Sequence, residues 1–449
     1  MTRRLRFAAW SLSLVSCCCL MSQSVAAEER SGSTAVAAPP VSDAPVVAKS
    51  LEIPATDEGL PGEGPIRRYD WFTKLWSAKR SGWAKKVEQD QKSLVFLGDS
   101  ITQGWGDDLR GSFPGVKVAN RGISGDTTRG MLVRLQEDVL DLNPTGVVLL
   151  MGTNDLEEGA EPEVIAGNLK LIIAALKQHN AEMPIVLCQV FPSSATKKRP
   201  ADKIRKINSL YAEAVKGDAQ VTLVETWPLF ADENGDARKE EFPDLLHPNA
   251  KGYAMWAAAI RPILATLGYV ETEPDDFKPE EGFTSLFNGK DLTGWGYREM
   301  KTLNKLEQFD GKTKSSEGRY VAQNGRLIVT TPAEGRKVAQ LWTTAEFPKN
   351  FRLKLEFRAT PNADSGIFIR KPQLQCRDYP LAGPYKMLTK YRAQDWNEVD
   401  ITVTDGVARC LCNGEVLEEA YKLPEAGPIG LEGDRGQMEY RRIRIQELP

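Results

Sequence analysis

Beyond residue 93 the chain alternates short apolar runs with amphipathic stretches, and past residue 283 the apolar period changes to two. Few architectures accept both patterns in one chain. The runs at 94–97, 116–119, 146–151, 184–190 and 221–224 are short and mainly apolar. Between them, Ile165, Leu169, Ile172 and Leu176 recur at helical spacing after Pro162, a favourable first-turn residue. Tyr253, Trp256, Ala257, Ile260 and Leu264 do the same after His247-Pro248. Short apolar strands separated by helices predict a parallel sheet covered on both faces. Such sheets bind ligands beyond the carboxyl ends of their strands. Ser100, Asn154 and Phe191 each fall just past a predicted strand end.

In the second half, Phe351, Leu353, Leu355 and Phe357 alternate with Arg352, Lys354 and Glu356, and Val399, Ile401 and Val403 alternate likewise. Asp405-Gly406 and Asn413-Gly414 supply two-residue hairpin turns. This predicts an antiparallel all-β sandwich. The acidic, proline-bearing stretch 271–282 reads as a linker between domains at 67–270 and 283–449. Residues 67–92 predict a helical lead-in whose aromatics pack onto the first domain. Residues 28–66, rich in Ala, Pro, Ser, Gly and Glu without periodicity, predict a disordered tether.

The N-terminus has the form of an export signal. Arg3, Arg4 and Arg6 precede an apolar core at 7–21 and small residues at 24–27. A signal over 1–27 predicts a secreted or periplasmic protein. Leu14-Val15-Ser16-Cys17 also resembles a lipobox, which would place a lipid anchor on Cys17; apolar residues continue beyond it, which favours the simple signal. No later stretch approaches ~20 apolar residues, so no membrane span is expected. With 58 basic against 61 acidic residues, nothing in the charge favours nucleic acid as a partner. Of seven cysteines, four lie outside the signal. Cys188 reads as a buried thiol, and Cys376 could pair with Cys410 or Cys412 in an exported chain. None has zinc-site spacing. The sequence sets no oligomeric state.

The candidate chemistry begins with a shortage: the chain holds two histidines. A serine nucleophile needs a base titrating near neutral pH, usually histidine. His247, in Asp244-Leu-Leu-His247-Pro248, has a carboxylate three residues before it. Three further blocks follow predicted strands: Gly98-Asp99-Ser100, Asn120-Arg121-Gly122-Ile-Ser-Gly125-Asp126 and Gly152-Thr153-Asn154-Asp155. Each alone has a plainer reading. Gly-Asp-Ser is most often a turn with Asp99 as turn former. Gly122 suits a turn, Asn154 a helix cap, and Asp244 and His247 a loop carboxylate and a cap. His179, at a helix end where a cation suits the dipole, reads as solvated surface. Gln103, Trp105, Asp126, Arg129 and Phe191 are candidates to line a pocket. Trp105 would either stack on a sugar or pack as a lid.

Taken together, the order and placement of the four blocks resemble the SGNH, or GDSL-type, hydrolases over about residues 93–266. The resemblance implies a three-layer, flavodoxin-like α/β fold. It implies Ser100 as nucleophile, His247 as base and Asp244 as its orienting carboxylate. It also implies an oxyanion hole made by the N–H groups of Ser100 and Gly122 and the amide of Asn154, with no metal or organic cofactor. Within the family the chain looks closest to carbohydrate esterases and acetylhydrolase-like members. The serine is not in a Gly-x-Ser-x-Gly elbow, which separates it from the α/β-hydrolases.

The second half contains Asn288-Gly289-Lys-Asp-Leu-Thr-Gly-Trp295, Asp364-Ser365-Gly366-Ile-Phe-Ile-Arg370, Trp396-Asn397-Glu398-Val399 and Gly427-Pro-Ile-Gly-Leu431. It resembles the 3-keto-disaccharide hydrolase family, which implies a concanavalin-like jelly roll. Family members often carry a histidine just after the Gly-x-Ile-x-Leu segment; here Glu432-Gly433-Asp434-Arg435-Gly436 stands there. A glycan-binding or substrate-positioning module is therefore favoured over a glycoside-acting one, and no catalytic residue is assigned to it. Trp295, Trp342 and Trp396 are candidate sugar platforms, although tryptophan in a sandwich is more often core. The expected protein is an exported serine esterase that removes short acyl groups, acetyl foremost, from an acylated carbohydrate. A lysophospholipase or thioesterase would share the same site. A glycan-binding protein or glycosidase acting through its C-terminal half would leave Ser100 idle.

Overall fold

The computed structural model of the protein describes residues 51–272, 275–299, 301–330 and 340–449. The expected export signal, the Cys17 lipid site and the tether as far as residue 50 lie outside the described residues. Five parallel strands form the first sheet: β1 (Leu94–Gly98), β2 (Val118–Gly122), β3 (Gly146–Leu150), β4 (Ile185–Cys188) and β5 (Val221–Val224). Their order is β2-β1-β3-β4-β5. Every residue of β1, β3 and β4 is buried, as apolar runs with no polar face require. Helices Pro162–His179 and Ala201–Ala214 cover one face through Ile165, Leu169, Ile172 and Ile204. Helix Ala250–Thr266 covers the other through Trp256, Ile260 and Leu264. This is the three-layer, flavodoxin-like α/β arrangement. Its strand order reverses between β1 and β3, so a crevice opens between the loops that follow them.

The lead-in is a helix at Asp70–Ala84 that buries Phe72, Trp76, Arg80 and Trp83 on one face. Disorder does not hold for residues 51–66. Arg129 donates to Asp57, Pro61 O and Gly64 O. The Asn168 amide brackets Glu63, accepting from its N–H at 3.1 Å and donating to its carbonyl at 2.8 Å. A buried polar network on the domain thus satisfies backbone that composition alone leaves unpaired.

The second half is antiparallel. Among the described residues it forms an eight-stranded and a six-stranded sheet, the jelly-roll sandwich expected. Strand Phe351–Ala359 alternates buried and half-buried residues along its whole length. Asp405, Gly406, Asn413 and Gly414 all adopt positive φ between strands, which fits two-residue hairpin turns. Trp295 and Trp342 are buried, so neither is a sugar platform, and Trp396 lies under the guanidinium groups of Arg358 and Arg441. Cys188, Cys376, Cys410 and Cys412 are all buried free thiols, so the pairing considered for Cys376 is not made. No helix among the described residues is long and apolar enough to cross a membrane. Gln437 ties the sandwich to the first domain by donating to Pro262 O and Thr266 Oγ1, and Asn362 donates to Glu225 at 2.6 Å.

Candidate active site

Ser100 opens a short helix (Ser100–Gly104) directly after β1. Gly98, the last residue of β1, permits a close approach: a Cβ there would stand 2.1 Å from Thr102 Oγ1 and 2.6 Å from Leu150 O. Asp99 is the cap of this helix, its Oδ1 accepting from Ile101 N at 2.9 Å. As the first residue of the helix, Ser100 has an N–H with no intrahelical acceptor.

The Asp-x-x-His block lies in the loop before helix Ala250–Thr266, so it reaches the same strand ends from the other side. His247 Nε2 is 3.0 Å from Ser100 Oγ, and His247 Nδ1 is 2.7 Å from Asp244 Oδ2. Asp244 Oδ1 also accepts from the backbone N–H of His247 and Leu246. Burial by itself raises the Asp244 carboxyl; the hydrogen bonds from His247 and Leu246 outweigh it and hold the group below the usual range. The loop is held in a strained form, with Leu245 at φ 63° and its carbonyl taking the Ser193 hydroxyl. The cap of the following helix is Asn249 rather than the Asp-His pair. His179 is exposed, as a solvated helix end should be.

Asn154 is buried after β3, and its amide is fixed at both ends. Nδ2 donates to Asp126 O at 2.9 Å, and Oδ1 accepts from Arg199 Nη2 at 3.0 Å. The amide nitrogen has a second hydrogen available for a ligand. Arg199 went unpredicted because it sits in Lys197-Lys198-Arg199-Pro200, which reads as a solvated charge run. In the fold it is buried and also donates to Thr153 O and Glu157.

Gly122 differs from its expected role. Its N–H donates to Asn120 Oδ1 at 2.9 Å and is thereby engaged. A Cβ on Gly122 would lie 2.2 Å from Gln103 N and 2.8 Å from Asp99 O, so this glycine lets β2 pack against the Ser100 helix. Three residues on, Gly125 turns at φ 89° just before Asp126, whose carbonyl holds Asn154. The Gly125 N–H makes no hydrogen bond among the described residues. Gly122 ends β2 and Gly125 lies in the turn beyond it, and the fold-back of Asn120 engages the N–H of the first alone.

Most of the proposed pocket-lining residues are structural. Trp105 and Phe191 are buried in an aromatic cluster around Trp256, at 4.2 and 5.1 Å between ring centroids. Asp126 makes a buried ion pair with Arg134 at 2.7 Å. Arg129 holds the 57–64 segment. Gln103 accepts from Ser124 N at 2.8 Å and so braces the loop that carries Gly125. A hydroxyl, an imidazole and a carboxylate in one hydrogen-bonded line, beside unengaged N–H donors, can carry out acyl transfer.

Comparison with known proteins agrees with this chemistry. Residues 96–255 match the GDSL-like Lipase/Acylhydrolase family. Residues 282–446 match the 3-keto-alpha-glucoside-1,2-lyase-like domain. The platelet-activating factor acetylhydrolase IB subunit alpha1 of Bos taurus is 25% identical over 199 residues, covering 43% of this chain and 83% of its own. The alpha2 subunit of Homo sapiens is 26% identical over 208 residues, covering 45% and 87%. Among solved structures, a GDSL-like lipase from Bacteroides thetaiotaomicron is 28% identical with a TM-score of 0.38, covering 43% of this chain and 97% of that one. The chain thus carries a GDSL-like lipase/acylhydrolase domain followed by a 3-keto-alpha-glucoside-1,2-lyase-like domain, and it is an ester hydrolase.

Proposed function

We propose that the protein is an exported serine esterase that removes short acyl groups, acetyl foremost, from carbohydrate. The observation that carries the reaction is the line Ser100 Oγ to His247 Nε2 at 3.0 Å and His247 Nδ1 to Asp244 Oδ2 at 2.7 Å. Ser100 Oγ attacks the ester carbonyl carbon while its proton passes to His247 Nε2. Asp244 holds the ring and stabilises its charged form. The carbonyl electron pair moves onto oxygen, where the N–H groups of Ser100 and Gly125 and Nδ2 of Asn154 receive it. Each such donor is typically worth ~3 kcal/mol in the transition state. Collapse breaks the ester C–O bond, and the leaving alkoxide takes the proton from Nε2. Water, deprotonated by His247, then releases the acyl group and restores Ser100. The acetylhydrolase names of the relatives support a short acyl group, and the 3-keto-alpha-glucoside-1,2-lyase-like domain supports a sugar as the alcohol released.

Labelling with a fluorophosphonate followed by peptide mapping should give an adduct on Ser100. Ser100→Ala and His247→Ala should each lower turnover of p-nitrophenyl acetate by roughly a thousandfold or more without unfolding, with Asp244→Asn milder. Full activity in the His247→Ala protein would remove the assignment.

A further inference from the structure

The two aromatic side chains among the exposed large hydrophobics of the described residues sit together, and they sit beside the acyl-transfer site. Tyr69 is 51% and Trp71 52% exposed. Their rings lie within 13° of parallel with centroids 6.5 Å apart. The Trp71 ring edge abuts Gly125: its Cη2 is 2.6 Å from where a Cβ on that glycine would stand. Gly125 precedes Asp126, whose carbonyl holds the Asn154 amide. The pair is rigidly mounted. Trp71 packs edge-on against buried Phe72 at 5.6 Å. The Tyr69 hydroxyl donates to Glu158, which also receives Arg67 Nε at 2.7 Å. Arg67 ties the same segment to Glu157, a partner of Arg199 behind Asn154.

An exposed tryptophan and tyrosine held nearly parallel are an unusual use of apolar surface, since neither buries itself in the core. A pyranose ring has an apolar C–H face and a rim of hydroxyls. An open aromatic face flanked by Arg67 and Glu158 covers the first and leaves the second hydrated or hydrogen-bonded. An acyl chain gains little on such a surface, because it needs an enclosed apolar groove. We propose that Tyr69 and Trp71 form a sugar-binding subsite, on which a glycosyl residue neighbouring the acyl-bearing one stacks while its ester reaches Ser100. This rests on the carbohydrate-esterase reading above and names the elements that would give it substrate preference.

The test compares the full-length protein with its Trp71→Ala, Trp71→Phe and Tyr69→Ala variants. Substrates are p-nitrophenyl acetate, p-nitrophenyl palmitate and a panel of acetylated xylo-, manno- and pectic oligosaccharides. In Trp71→Ala, kcat/KM on the preferred acetylated oligosaccharide should fall by roughly tenfold more than on p-nitrophenyl acetate, the size of one aromatic contact. The extra loss should appear in KM, Trp71→Phe should recover most of it, and Tyr69→Ala should show a smaller loss of the same kind. Equal losses on the two acetyl substrates would overturn the subsite and leave the esterase standing. A loss concentrated on the palmitate ester would overturn it in favour of an acyl-chain surface. If the unmodified protein cleaves p-nitrophenyl acetate but no acetylated oligosaccharide, the carbohydrate reading falls and takes the subsite with it.

Discussion

Arg199 shows how far a single buried side chain shapes the acyl-transfer site. An amide can be turned either way around, and only the end carrying hydrogens can stabilise an oxyanion. Arg199 has no acceptor function, so its donation to Oδ1 forces the nitrogen end of Asn154 the other way. Arg199→Met should lower kcat on p-nitrophenyl acetate by about ten- to a hundredfold, the range of a hydrogen bond to a charged donor, with little change in KM. In an Asn154→Ala background the same substitution should cost far less, because there is no amide left to orient. Equal factors in the two backgrounds, read from steady-state rates, would mean that Arg199 acts only through general stability. At this scale the sequence was legible where chemistry dictates residue type and place. Ser100 and Asn154 come just after predicted strand ends, and Asp244 and His247 stand in one short block ahead of a predicted helix. It was illegible where the decision rests on a side chain folding back, as Asn120 does onto Gly122, or on a cation drawn inward from a basic run, as Arg199 is.

The strands of the parallel sheet were readable because a strand covered on both faces has no polar side to hide. The hairpins at 405–406 and 413–414 were readable because the turn demands positive φ at both residues. Strand ends moved where buried runs continue as loop: β4 stops at Cys188, and Val190 instead gives its backbone to Asn208. The lead-in segment was only half legible. Its helix follows from Phe72, Trp76, Arg80 and Trp83 on one face, but what that face meets is polar as well as apolar. Arg80 pairs with Asp138 at 3.1 Å, and the Arg134 guanidinium, paired with Asp126 behind the Gly125 turn, lies 5.9 Å from the Trp76 ring. The helix is therefore a wall of the site rather than a linker. Trp76→Ala should destabilise the protein by about 3–5 kcal/mol, as for a fully buried tryptophan. Measured by denaturant unfolding, a loss below about 1 kcal/mol would mean the lead-in is peripheral to the fold.

At the scale of the whole molecule, the switch from a helical period to a period of two correctly announced two architectures, whereas their junction depends on contacts such as Gln437 to Pro262 O that no local pattern encodes. The molecule also buries carboxyls that the sequence shows only as ordinary aspartates. Burial pushes Asp99 and Asp155 up to about 6, and Asp378 of the sandwich up to about 6 as well. Such a carboxyl keeps its proton in the folded chain at a pH where the unfolded chain, near 3.8, has already lost it. The folded state then binds more protons over that window, so this contribution is fully present below pH ~4 and is lost as pH rises through about 6. Glu280 works in the opposite sense: hydrogen bonds from Arg444 hold it down at about 2, and its contribution disappears only as pH falls from ~4.5 towards that value. Between pH 4.5 and 7.5 the buried aspartates therefore govern the slope. Asp99 gives the cleanest handle, because its Oδ1 caps the Ser100 helix while Oδ2 has no partner. Asp99→Asn keeps the capping oxygen and removes the titrating proton. Its denaturant midpoint should vary less with pH than that of the unmodified protein, the two diverging by of order 2 kcal/mol by pH 7.5. Parallel stability curves across this range would show that Asp99 is already ionised in the folded chain, and that something other than protonation accommodates its charge beneath Ser100.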